Sequence, residues 1–186
     1  VDRQRIHQGS VLPDVFGALT NNLRFRNFDL SFMLYYSFGG KMYDYNYSES
    51  NVLRENFAAY DNLDNRWQQE GDVTDIAKIY TYRTFDAFSN ARYSDQYLFN
   101  NDFVRLKNVM FGYTLPSALT NKWGLASMRL HFRGDNLLTF GNAKRRGTDP
   151  ENFGNNADYG VTMGVVDATS GVPALRSYKL GVNISF

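Results

Sequence analysis

The last nine residues of the sequence alternate without a break. Tyr178, Leu180, Val182, Ile184 and Phe186 are apolar, while Lys179, Gly181, Asn183 and Ser185 between them are polar or small. A period of two sends one set to each face of a pleated strand. Chain ends ordinarily fray. A strand that carries its pattern to a closing aromatic is therefore expected where the last strand is held along its whole length. Transmembrane β-barrels meet that condition, because the final strand closes the cylinder and turns its apolar side to lipid. The competing expectation is an ordinary terminal strand in a soluble β-sandwich.

Composition narrows the choice. Net charge is +1, which gives no basic field for nucleic acid. Cysteine is absent, so disulfides, Cys-based metal sites and Cys nucleophiles are excluded. Aromatic residues make up 16% and are mostly Tyr and Phe, the types that form interfacial girdles on barrels. Mean hydropathy is -0.46, and apolar runs such as Phe32-Met33-Leu34-Tyr35-Tyr36 are too short for a membrane-spanning helix. A barrel needs no such run, because only alternate residues meet lipid. No charged n-region, apolar core or cleavage site opens the sequence at Val1. The expectation is a removed signal or a piece of a longer chain, and the strand count favours the piece.

Five segments alternate, and the expected strands are about 17–26, 28–38, 102–114, 126–140 and 174–186. Gly17, Leu19, Asn21, Leu23 and Phe25 share one face of the first. Phe28, Leu30, Phe32, Leu34, Tyr36 and Phe38 share one face of the second. The third breaks parity: Arg105 and Lys107 occupy the positions that Val109, Phe111 and Tyr113 continue, which predicts a β-bulge near Lys107-Asn108 or a membrane boundary there. The fourth sets Met128, Leu130, Phe132, Leu138 and Phe140 against Arg129, His131, Arg133 and Asp135.

The connections run short, long, short, long, with long loops at about 39–101 and 141–173. Outer-membrane barrels show this order, with short turns on the periplasmic side and long loops outside. It places the C-terminus in the periplasm. Within the first loop, Ser50 is expected to cap a helix over 51–60, and Asp64 a shorter turn through Trp67 and Glu70. A single-chain bacterial barrel has at least eight strands and an even number. The fold class expected is thus all-β, an antiparallel transmembrane barrel segment forming the last five strands of a larger cylinder.

Several stretches form an ordered set: Gly17, then Arg26-Asn27-Phe28-Asp29-Leu30-Ser31-Phe32, Tyr36-Ser37-Phe38-Gly39-Gly40-Lys41 and Asn65-Arg66-Trp67. The clearest is Phe103-Val104-Arg105-Leu106-Lys107-Asn108-Val109 running into Gly112-Tyr113-Thr114-Leu115-Pro116. Asp135-Asn136-Leu137-Leu138-Thr139-Phe140, Asp149-Pro150-Glu151 and Leu180-Gly181-Val182-Asn183-Ile184-Ser185-Phe186 complete it. In this order the set resembles the C-terminal barrel of SusC-like TonB-dependent transporters, outer-membrane nutrient importers of Bacteroidetes. The resemblance implies a barrel of about 22 strands preceded by a plug domain that is absent from this sequence. It also implies import energised through the TonB complex, a SusD-like surface lipoprotein as partner, and Phe186 as the signal read by the assembly machinery. Oligosaccharides or oligopeptides are the implied cargo. The alternatives are a passive or structural barrel, such as a porin or adhesin anchor, and a soluble secreted glycan-binding β-protein.

Catalytic signals are weak, and no enzyme activity or cofactor is expected. The two histidines, His7 and His131, are far apart, and no nucleophile elbow, phosphate loop or HExxH occurs. Asp61-Asn62-Leu63-Asp64-Asn65 resembles the start of a calcium loop, but Arg66 replaces its glycine and Asp72 its closing glutamate, so no metal is expected. Arg105, Lys107, Arg129, His131, Arg133 and Asp135 are expected to line the lumen, because a charge on the lipid face costs about 2–4 kcal/mol at the midplane. There they would meet a plug domain or simply hydrate the wall. Tyr43, Tyr45, Tyr47 and Trp67 are candidate contacts for substrate or partner, or else girdle residues. Arg145 and Arg146, with Lys144, form a short basic run suited to lipopolysaccharide or to plain solvation.

Overall fold

The computed structural model describes residues 8–50, 61–76, 78, 94–142, 148–151, 165–166 and 173–186. The chain divides into two units. One comprises Pro13–Gly39, Asn101–Ala143 and Pro173–Phe186, and the other Val1–Leu12, Gly40–Asn100 and Lys144–Val172.

The first unit is one antiparallel sheet of five strands: β1 (Pro13–Phe25), β2 (Phe28–Gly39), β5 (Phe103–Thr114), β6 (Ser127–Gly141) and β8 (Ser177–Ser185). They lie in the order β1-β2-β5-β6-β8, so each strand pairs with the next in this set. Among the described residues the sheet stays open, with β1 and β8 at its edges. β1 begins at Pro13, earlier than the alternation suggested, and a register shift lies between Pro13 and Val15. Arg26 and Asn27 form the β1–β2 turn, with Arg26 in the left-handed region at φ 53. Gly39, at φ 77, ends β2, and its N–H donates to Asp102 Oδ1 at 2.7 Å.

Register converts alternation into two faces. Leu23, Leu30, Phe111, Phe132 and Leu180 form one lateral row, each directly opposite the next. Leu19, Leu34, Leu106 and Leu138 form another. These rows share the apolar face, where Leu180 is 86% exposed and Phe140 63%. So broad a bare apolar surface is foreign to a water-facing protein. The opposite face carries Arg24, Asp29, Ser31, Arg129, His131, Arg133, Asp135, Ser177 and Lys179, with Phe16, Met33 and Met110 interleaved.

The predicted parity break is a bulge. Met33 pairs Asn108 and Leu34 pairs Leu106, so Lys107 is skipped. Toward β6 the same residue meets two, Asn136 and Leu137, between the Leu106–Leu138 and Asn108–Asp135 pairs. Asn136 takes φ 52, and Leu137 folds back where a side chain on Gly134 would sit. The extra residue resets parity, so apolar residues hold the same face on both sides of it.

The second unit holds a small sheet in the order β4-β3-β7, with β3 (Lys41–Asp44), β4 (Leu98–Asn100) and β7 (Val165–Val166). It lies within what alternation alone read as irregular loop. Asp44 Oδ1 accepts from the Tyr47 N–H at 2.9 Å and caps helix α1 (Tyr45–Ser50). Ser50 lies within this helix as its last described residue, where a cap for a following one was expected, and 51–60 lies outside the described residues. A 3-10 turn spans Asp61–Asn65, ahead of the turn expected from Asp64.

Candidate functional site

The polar face of the five-stranded sheet gathers five of the six expected lumen residues along two strands, with Lys107 at the bulge between them. Its centre is an ion pair between residues a hundred positions apart. Arg129 Nη2 lies 2.6 Å from Asp29 Oδ2, and Nε lies 3.2 Å from Oδ1. Both oxygens are engaged, the fork geometry that makes arginine–carboxylate pairs strong and directional. The pair bridges β2 to β6 across β5, and it can do so because Gly112 lies between them. A side chain at Gly112 would collide with both the carboxylate and the guanidinium. Glycine here supplies clearance rather than backbone freedom.

The neighbouring strands repeat the device. His131 lies over Gly181, directly opposite it on β8, where a Cβ would strike the imidazole. Among the described residues its buried Nδ1 has no hydrogen-bond partner. Two positions along the polar face, Asp135 collects three donors: Arg133 Nε at 3.0 Å, Ser177 Oγ at 2.9 Å and Lys179 Nζ at 3.4 Å. Arg105 is buried, with Nε 3.0 Å from Thr139 Oγ1. Lys107 sets its ammonium 5.5 Å from the Tyr35 ring centroid. Cations outnumber carboxylates on this face, and both carboxylates, Asp29 and Asp135, are held in ion pairs.

Sequence reasoning missed Asp29, Ser177, Lys179 and Gly112 as members of this site. Parity alone put Asp29 on the polar side, but its partner follows only from the register of β2, β5 and β6.

The loop residues are scattered. Tyr47 is buried and meets Tyr97 edge-on at 5.5 Å, with Tyr43 6.2 Å from the same ring. Tyr43 and Tyr45 are half-buried. Trp67 is half-buried in a separate turn, its backbone N–H donating to Ile76 O at 2.9 Å and Lys78 5.6 Å from its ring. Arg145 and Arg146 lie outside the described residues. Asp72, read above as a departure from a calcium loop, accepts from the Gln68 and Gln69 amides at 2.9 Å each. Those two N–H donors hold its carboxyl below the usual aspartate range. Phe186 follows the end of β8 and is 93% exposed.

One bare apolar face backed by one ion-paired polar face is the wall of a transmembrane β-barrel. Comparison with known proteins adds the family. No protein-family model matches the sequence. TonB-dependent receptor P3 of Formosa agariphila is 31% identical over 179 residues, which is 96% of this chain and 17% of that protein. Receptors P26 and P39 of the same organism are 25% and 27% identical over 96% and 79% of the chain. Among solved structures, the RagAB peptide transporter superposes over 97% of this chain and 18% of its own, with TM-score 0.72 and 23% identity. The RagAB peptide importer in its closed-closed state gives TM-score 0.71 at 24% identity. Over nearly its whole length, therefore, the chain is similar in sequence to TonB-dependent receptors, and its fold is that of a segment of the RagAB structures. It spans about a sixth of the length of receptors P3 and P26. The relatives are named as receptors and the solved structures as importers or transporters, transport proteins rather than enzymes.

Proposed function

We propose that the chain is a wall segment of an outer-membrane active importer of large nutrients, oligosaccharides or oligopeptides. In this reading the five strands are the last of the barrel. The apolar face meets lipid, and Arg105, Lys107, Arg129, His131, Arg133 and Asp135 line the lumen. Residues 39–101 and 141–173 face the cell exterior, and the C-terminus lies in the periplasm, where Phe186 serves as the assembly signal. Energy comes through TonB by way of the receptor's other domains, and a SusD-like lipoprotein works at the outer surface. Arg145 and Arg146 meet lipopolysaccharide. Trp67, Tyr43, Tyr45 and Tyr47 order the outer loops, and those left part-exposed contact cargo or partner.

The observation that carries the reading is the separation of the sheet into an apolar and an ion-paired face, in a chain 31% identical to a TonB-dependent receptor. Uptake of labelled oligopeptides and oligosaccharides by cells with and without the intact receptor gene tests it. Uptake of one class is expected to require the gene and to stop when a protonophore collapses the inner-membrane gradient. Gene-dependent uptake that survives the protonophore would instead mark a passive barrel and overturn the active mechanism.

A further inference from the structure

The connection between β5 and β6 is a compact turn that leaves two large apolar side chains bare. Helix α2 (Ser117–Thr120) leads into a 3-10 turn (Asn121–Trp123), which Gly124 closes in the left-handed region at φ 69. The residue this turn buries is polar: Thr120 is 1% exposed, with Oγ1 3.4 Å from Ser117 O, and Leu125 N–H donates to Thr120 O at 3.0 Å. Among the residues it presents outward, beside Ser117, Asn121 and Lys122, are two large apolar side chains: Leu119 is 44% exposed and Trp123 59%.

Its surroundings point the same way. The turn hangs from the end of the sheet where Phe25, Phe28 and Phe186 are 69%, 45% and 93% exposed. Phe28 packs on Tyr113 at 4.6 Å, and Arg26 lies 5.3 Å from the Phe25 ring. Lys122 sits beside Trp123 in sequence. Behind this rim the apolar face continues through Met128, Ile184, Leu130 and Val182, paired in adjacent rows. Exposed aromatics interleaved with single cations, directly continuous with a lipid-facing surface, match the chemistry of the headgroup layer. There indole and phenyl rings sit at the acyl boundary, and Lys and Arg reach phosphates.

We propose that the β5–β6 turn is a membrane anchor: Leu119 and Trp123 seat in the acyl boundary of the leaflet, and Lys122 and Arg26 reach its phosphates. It fixes the height of the β5–β6 hairpin in the bilayer. The proposal rests on the barrel reading above. The test is electron paramagnetic resonance on the whole receptor in phospholipid nanodiscs, with other cysteines replaced by serine and one nitroxide at Trp123→Cys, Leu119→Cys, Leu130→Cys or Val73→Cys. Val73 is 101% exposed and serves as the water reference. Heat-modifiable gel mobility checks that each variant is folded. Labels at 119, 123 and 130 are expected to relax faster with oxygen than with a water-soluble nickel chelate, and the label at 73 the reverse. Oxygen preference at 130 with nickel preference at 119 and 123 overturns the anchor and leaves the barrel reading standing. Labels at 119 and 123 shielded from both reagents show a protein partner on the turn and also overturn it. Nickel preference at 130 overturns both.

Discussion

Replacing Gly112 with alanine should destabilise the barrel, although alanine ordinarily suits a strand better than glycine. In the strand interior the glycine costs about 0.5–1 kcal/mol of backbone entropy relative to alanine. Gly112→Ala would recover that if space allowed. It does not: the new Cβ overlaps the Asp29 carboxylate and the Arg129 guanidinium. Both are the far ends of flexible side chains, so the pair gives way and the backbone stays. The two side chains are 30% and 27% exposed, intermediate between surface pairs worth under 1 kcal/mol and buried pairs whose breakage costs 3–5. A doubly bonded pair at that depth contributes about 1–2 kcal/mol. The net expectation for Gly112→Ala is a loss of about 0.5–1 kcal/mol. In an Asp29→Ala background the carboxylate is gone and the Arg129 guanidinium, no longer held by it, can swing aside, so the same substitution should stabilise by about 0.5–1 kcal/mol. The sign should therefore invert between backgrounds, which a double-mutant cycle on the urea midpoints of the receptor in lipid vesicles would read. Equal effects of Gly112→Ala in both backgrounds would refute the account of this glycine as clearance for the ion pair.

Adjacent residues on β2 should behave oppositely: Phe32→Arg should cost about 2–4 kcal/mol, and Met33→Arg, on the polar face, under about 1. Equal yields of folded receptor from the two variants in a membrane-insertion assay would contradict the assignment of faces. Tyr97→Ala removes the ring against which Tyr47 packs and should cost the second unit about 3 kcal/mol, seen as faster proteolysis of that unit; unchanged cleavage would mean the tyrosines do not order it. Asp72→Ala should speed exchange of the Gln68 and Gln69 amides at neutral pH, and unchanged exchange would deny the carboxylate that role. Because the folded carboxyl titrates below its unfolded value of about 3.9, its contribution is complete above that pH and is lost as pH falls through the lower, folded value.

What the sequence determined by itself is which side of a strand each residue takes. Alternation is local, since the pleat sends neighbours to opposite faces whatever lies alongside. So the sharing of a face by Leu19, Leu23 and Phe25, and the slip near Lys107, were both legible before any pairing was known. Tertiary structure decided everything that runs across the strands. The Asp29–Arg129 bridge depends on β2 and β6 flanking the same strand in one register, and on Gly112 falling beneath it. No local pattern encodes that, because the partners are a hundred residues apart. The same limit hid the burial of Tyr47 against Tyr97 and the small sheet of β3, β4 and β7, whose strands are too short to carry a readable period. Alternation gave the two faces, but only the register, which is a contact between distant segments, could say which charges meet upon them.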